Sequence, residues 1–165
     1  MILFLDIDGV LHPVSPFNKD VGVFCHLQRF EVVMRDFPEW LIVISSSWRE
    51  EFSTDVLRSF FSPDIATRVV GVTPIVLAGG KFLREIEIRQ YLSSTGQQTA
   101  PWIALDDSAH SFQDQNNLVL CSSETGFDDI SAEKLRNKLM VSGLPQQLRQ
   151  TMTESMPRNN NRQKC

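Results

Sequence analysis

Asp6-Ile7-Asp8-Gly9 stands directly after the apolar run Ile2-Leu3-Phe4-Leu5. So uniformly apolar a run reads as a buried strand. Two carboxylates two residues apart, where that strand ends, point to one cleft. Crowding both charges there is costly unless a cation joins them. A hard, oxygen-seeking ion such as Mg2+ meets that need. One carboxylate can then attack phosphorus to form an aspartyl-phosphate. The other can protonate the leaving oxygen and later activate water. Gly9 permits the sharp turn this arrangement needs. A calcium loop of the EF-hand kind is excluded, because the twelfth position counted from Asp6 is Phe17 and not a glutamate.

Such residues need elements to hold them, and the chain alternates short apolar runs with helical patterns. After Ile2–Leu5, the spacing of Phe24, Leu27, Phe30, Val33, Met34 and Phe37 predicts a helix over 24–37. Leu41–Ile44 is a second strand. Ser53 caps a helix to about Phe61 with Val56, Leu57 and Phe60 on one face, and Arg68–Val72 is a third strand. Lys81–Leu92 is a helix with Phe82, Leu83, Ile86 and Leu92 inward. Trp102–Leu105 and Leu118–Cys121 complete the strands, and Ser131 caps a last helix reaching about Val141. Apolar strands alternating with helices imply a central parallel sheet covered on both faces: a doubly wound, three-layer α/β sandwich. In such sheets the site lies at the C-terminal ends of the strands. The polar clusters fall there: Asp6 and Asp8, Ser45 to Ser47, and Asp106 with Asp107.

Composition narrows the class. At 165 residues with 42% apolar content the chain has material for one ordinary core. A net charge of −4 argues against broad non-specific binding of nucleic acid. No apolar run approaches membrane-spanning length, and the opening residues lack the basic n-region of a signal peptide. Cys25, Cys121 and Cys165 show neither metal-ligand spacing nor a disulfide framework, which suits reduced thiols in a cytoplasm. The catalytic domain is expected over 1–144. The remainder, 145–165, reads as a short helix carrying Leu148, Met152 and Met156, then a disordered end from Pro157.

Three segments together carry a resemblance. Phe4-Leu5-Asp6-Ile7-Asp8-Gly9-Val10-Leu11 resembles the first motif of the haloacid dehalogenase (HAD) superfamily. Ile44-Ser45-Ser46-Ser47-Trp48-Arg49 is similar to the second and Ala104-Leu105-Asp106-Asp107 to the fourth. Ser-Ser-Ser-Trp-Arg, Arg84-x-x-Glu87-Ile88 and Leu105-Asp106-Asp107 further resemble the HAD domains of "Swiss Army knife" RNA-repair proteins. The resemblance implies Asp6 as nucleophile and Asp8 as general acid/base whose backbone carbonyl also reaches the metal. It implies Asp106 and Asp107 as the metal-binding acids and Mg2+ as the cofactor. A serine hydroxyl, Ser45 or Ser46, would hold a phosphoryl oxygen. Arg84, with Lys81 as the alternative, would supply the phosphate-binding cation at a helix start that itself favours anions.

Trp48 and Arg49 are expected to line a substrate groove, Trp48 by stacking on a base. Lone histidines are usually structural, so neither His12 nor His110 is assigned a catalytic part. The chain from His12 to Trp40 and the stretch Ser93–Ala100 leave no room for a large cap domain. An open site suits a bulky phosphorylated substrate such as a nucleic-acid end. The competing readings are a non-catalytic phosphate- or end-binding module of a repair or conflict system and a phosphotransferase.

Overall fold

In the computed structural model, residues 1–14, 22–77 and 81–144 are described. The short helix and disordered end expected within 145–165, and Cys165, lie outside them. Each apolar run forms a strand: β1 (Ile2–Leu5), β2 (Leu41–Ile44), β3 (Val69–Val72), β4 (Trp102–Asp106) and β5 (Leu118–Leu120). All pair in parallel, in the order β3-β2-β1-β4-β5. The chain builds outward from β1 to β3, then crosses to the other side for β4. The order therefore reverses beside β1, and β1 and β4 flank the switch point where such sheets bind ligands.

Among the described residues six α-helices surround the sheet: α1 (Leu27–Arg35), α2 (Trp48–Glu51), α3 (Thr54–Ser59), α4 (Pro63–Ala66), α5 (Leu83–Ser94) and α6 (Asp129–Gly143). Successive strand residues point to opposite faces. Leu3, Leu5, Ile42, Ile44, Ile103 and Leu105 pack one way, against residues of α1, α3, α4 and α6. Ile2, Phe4, Val43, Trp102 and Ala104 pack the other way, against Ile88, Leu92 and Tyr91 of α5. The sandwich has the predicted three layers, with one helix forming most of the second outer layer. No cap domain is present among the described residues.

Element ends differ from the sequence reading for local reasons. α1 is shorter than 24–37 because Phe24 sits at φ 62°, outside the helical region. Ser53 does cap α3, accepting from the Val56 N–H, but the helix stops at Ser59. β3 begins at Val69; Arg68 just before it still accepts from the Ile42 N–H, and its side chain turns back to donate to the carbonyls of Met34, Phe37 and Trp40. The cap of α6 is Asp128, whose carboxylate accepts from the Ser131 N–H, so the helix starts two residues before Ser131.

α5 holds the largest surprise: Ile86 is exposed, while Glu85 and Glu87 are buried beside Ile88 and Leu92. Both glutamates are paired. Glu85 takes Arg89 on one oxygen and the Gln113 and Asp114 N–H groups on the other. Glu87 takes Arg49.

Candidate active site

The register of the sheet sets the site. Leu5 pairs with Ile44 and with Leu105, and Ile44 pairs with Val72. The residues one step further along, Thr73, Ser45, Asp6 and Asp106, therefore form one row across four adjacent strands. Since Leu5, Ile44 and Leu105 face the four-helix side, alternation turns this row toward α5. Backbone bonds continue the row, with Asp6 N–H donating to Leu105, Ser45 N–H to Leu5 and Thr73 N–H to Ile44.

Arg84, on the first turn of α5, reaches into the row. Its Nη2 is 3.4 Å from Asp6 Oδ2 and its Nε 3.3 Å from Asp106 Oδ2. Asp6 Oδ1 accepts from the Ile7 N–H at 2.8 Å, and Asp106 Oδ1 from the Ser108 N–H at 2.9 Å. Asp6, Asp106 and Asp107 each offer a carboxylate oxygen, and these oxygens lie within 4.8 Å of one another. Burial, and then the neighbouring Asp6 charge, push the Asp106 carboxyl up to about 7 despite Arg84. The same two causes raise Asp107. Gly9, at φ 69°, lets the β1 loop close on this cluster: a β-carbon there would fall 2.1 Å from Asp107 Oδ2.

Of the six side-chain atoms buried without a hydrogen-bond partner among the described residues, four belong to this site: Ser45 Oγ, Thr73 Oγ1, Arg84 Nη1 and Asp106 Oδ2; the others are His12 Nδ1 and Trp40 Nε1. Buried polar atoms are nearly always satisfied, and a cluster of exceptions calls for a ligand or ordered water. Here the unsatisfied atoms are of both kinds. Two hydroxyls and a guanidinium N–H can serve an anion, and Asp106 Oδ2, which meets only the Arg84 charge at 3.3 Å, can serve a cation. An oxygen-only set of three acids matches the donor preference of Mg2+.

The other expected residues are placed differently. Asp8 is not in the acid cluster: its carboxylate, 43% exposed, turns aside to His12 and Trp48. Ser46 is buried, and its Oγ accepts from the Trp48 N–H at 3.4 Å. Lys81 is exposed on the turn before α5, and Arg84 takes the position at the acids.

Trp48 and Arg49, expected to line a substrate groove, each border a cleft, but their polar groups are engaged within the protein. Arg49 is 3% exposed and donates to the carbonyls of Ser45, Ser46 and Thr73 and to Glu87, so its donors are spent inside the protein. The Trp48 ring packs against Phe24, Phe52 and Phe60 at 5.4–5.8 Å between centroids.

Sequence reading also missed Thr73, whose only signal was its place one residue past a strand, and the partners of Asp8. The i, i+4 spacing of Asp8 and His12 was the available clue.

A cleft of about 130 Å3 is lined by Ser47, Arg49, Glu50, Leu83, Arg84, Glu87 and Ser111. Through Leu83 and Ser111 it adjoins one of about 600 Å3 lined also by Lys81, Phe82 and His110. A similarly large cleft, between α1 and α6, contains none of the site residues. No helix among the described residues is long and apolar enough to cross a membrane.

Paired acids at the switch point of a five-stranded parallel sheet, with a cation on the covering helix, define a Rossmann-like domain of the HAD type. The chain belongs to the family described as the HAD domain in Swiss Army Knife RNA repair proteins, whose model matches residues 2–132. No curated protein and no solved structure matches it. Membership supports phosphohydrolase chemistry at the level of the superfamily, and domains of this type generally use Mg2+.

Proposed function

We propose that this protein is a Mg2+-dependent phosphohydrolase acting through Asp6 on a phosphomonoester at the end of a nucleic-acid chain. One observation carries the chemistry: buried hydroxyls without partners at Ser45 and Thr73, the free Nη1 of Arg84 and an acid cluster balanced only by Arg84 meet at the row that holds Asp6. A phosphoryl group and a divalent cation together would satisfy them.

A carboxylate oxygen of Asp6 attacks phosphorus, and the bond from phosphorus to the leaving oxygen breaks. Asp8 gives its proton to that oxygen. Ser45, on the α5 face, and the free Nη1 of Arg84 hold the phosphoryl oxygens, and Thr73 stands next in the row. Water then attacks the aspartyl-phosphate, Asp8 takes its proton, and inorganic phosphate leaves. The carboxylates of Asp6, Asp106 and Asp107, with the Asp8 carbonyl that the family resemblance adds, would hold Mg2+, which supplies the positive charge that lets acids and phosphate share the site.

Two observations support a nucleic-acid end. The described residues include no cap to enclose a small metabolite, and the family takes its description from RNA repair proteins. The terminal nucleotide is assigned to the cleft beside Arg84, where Phe82 and His110 offer rings and Lys81 a charge for the next phosphate. Against a net charge of −4, binding should be modest and fall with salt.

The test is kcat/KM, with Mg2+, for 3′- and 5′-phosphorylated oligonucleotides, the matching mononucleotides and a sugar phosphate. An oligonucleotide should be the best substrate, and Asp6→Asn should be inactive yet folded. Turnover by purified Asp6→Asn at the wild-type rate would overturn the mechanism. A mononucleotide or sugar phosphate as best substrate would overturn the substrate class.

A further inference from the structure

Both oxygens of Asp8 are held. His12 Nε2 lies 3.0 Å from Oδ1, and Trp48 Nε1–H donates to Oδ2 at 2.9 Å. A carboxylate gripped on both oxygens has one rotamer. The two grips come from different places, His12 four residues along the same loop and Trp48 from the start of α2 after β2. Each ring is itself fixed. His12 meets Phe24 at 5.8 Å and Trp48 at 6.0 Å, while Phe24 and Phe60 pack the other parts of Trp48.

The direction of the grip matters. Asp8 is two residues from Asp6 and close enough to the three-acid cluster for a bound cation to attract it. The clamp holds its carboxylate away from those acids, more exposed than they are. A carboxylate captured by the cation would be a further ligand and would lose its use as a proton donor.

We propose that His12 and Trp48 are positioning residues that clamp the Asp8 carboxylate outside the metal cluster, aimed for proton transfer to the leaving oxygen. The proposal rests on the phosphohydrolase reading above. His12 suits the task because an Nε2–H can donate to Asp8 Oδ1 whether or not Oδ2 carries the proton that is transferred. Trp48 supplies a donor on a rigid, packed ring.

The experiment compares two esters with the full-length protein and Mg2+. 2,4-Dinitrophenyl phosphate expels a leaving group that needs no proton, and phenyl phosphate expels one that does. kcat/KM reports events up to formation of the aspartyl-phosphate, the step that uses the proton. General acid catalysis contributes on the order of 10²–10⁴-fold. Trp48→Phe and His12→Phe keep a ring and lose the nitrogen. Each should lower kcat/KM for phenyl phosphate roughly 10–100-fold, part of that contribution, and leave dinitrophenyl phosphate within about twofold. His12→Gln, which restores an N–H donor, should recover most of the loss.

Equal losses on both esters would mean a merely structural role, and no loss on either would mean no role; both overturn the proposal. A wild type inert toward both esters would instead overturn the phosphohydrolase reading, and the positioning role with it. The clamp itself is read without turnover. The Trp48 indole N–H resonance should move and exchange faster with solvent in Asp8→Ala, and an unchanged signal would overturn the proposal whatever the kinetics.

Discussion

Arg49 Nη2 and Glu87 Oε1 meet at 2.7 Å, with side chains only 3% and 5% exposed, and join α2, which follows β2, to α5. Arg49 also holds the carbonyls of Ser45, Ser46 and Thr73. The pair therefore fixes the backbone on which the proposed phosphate-binding hydroxyls stand. Removing one partner of a buried ion pair leaves an uncompensated charge, at a cost of about 3–5 kcal/mol. Arg49→Met and Glu87→Met should each fall in that range in urea unfolding. The double variant should be less destabilised than the sum of the two, because no lone charge remains.

The two serines should separate cleanly. Ser45 Oγ is buried without a partner on the α5 face, whereas Ser46 Oγ already receives the Trp48 N–H. A hydrogen bond to a charged group is worth about 1.5–3 kcal/mol. Ser45→Ala should lower kcat/KM by roughly ten- to over a hundredfold on that basis, and Ser46→Ala by less than about threefold. The reverse order would move the phosphate to the other face of β2.

Mg2+ should raise the melting temperature. At a concentration about a hundred times its dissociation constant, a ligand of the folded state adds about 2.7 kcal/mol. For a chain of this size that corresponds to roughly 5–10 °C. Without metal, Asp107→Asn should melt above the wild type, since burial and the Asp6 charge both oppose the ionised Asp107. The Mg2+ shift should shrink in the variant. An identical shift in both proteins would exclude Asp107 as a ligand.

Acid should expose the part played by Glu85. Burial works against its charge, but the Asp114 N–H, Arg89 and the Gln113 N–H outweigh burial and hold its carboxyl below the usual value of 4.5. A depressed folded value means that ionised Glu85 stabilises the fold above pH 4.5 and that this stability is lost as pH falls through the folded value. Glu85→Gln should therefore cost about 1–3 kcal/mol at pH 7. The gap between wild type and variant should close well below pH 4.5, as denaturant midpoints across pH 3–7 would show. A gap constant over that range would mean that the charge is not what Glu85 contributes.

The strands were legible because Ile2–Leu5, Leu41–Ile44 and Trp102–Leu105 are uniformly apolar, and that signal needs no partner. Asp6, Asp106 and Asp107 were legible for the same reason: each follows such a run. α5 was not. Its helical period suggested that Ile86 faces inward, yet buried ion pairs turned Glu85 and Glu87 to the sheet, and those pairs depend on Arg49 and on the loop at Gln113, distant in sequence. Arg49 looked like a substrate contact for a related reason, because nothing in Ser-Trp-Arg announces a buried glutamate in α5. The register of β2 against β1, invisible in the sequence, puts Ser45 and not Ser46 in the row with Asp6. Arg84, favoured over Lys81 from the sequence, does lie at the acids, on the first turn of α5 after the turn at Phe82 with its φ of 63°.

One face of the sheet rests mainly on α5, which also carries Arg84 and Glu87. Each transient opening of this helix must uncover Phe4 and Val43 and withdraw the site's cation in the same movement. If Arg84 binds the phosphate as proposed, competence for it and local folding of α5 are one equilibrium. An anion that engages Arg84 should slow amide exchange along the whole helix, out to Leu92, and hardly alter it in α1 or α6. The site would act as a latch on the lightly covered half of the molecule.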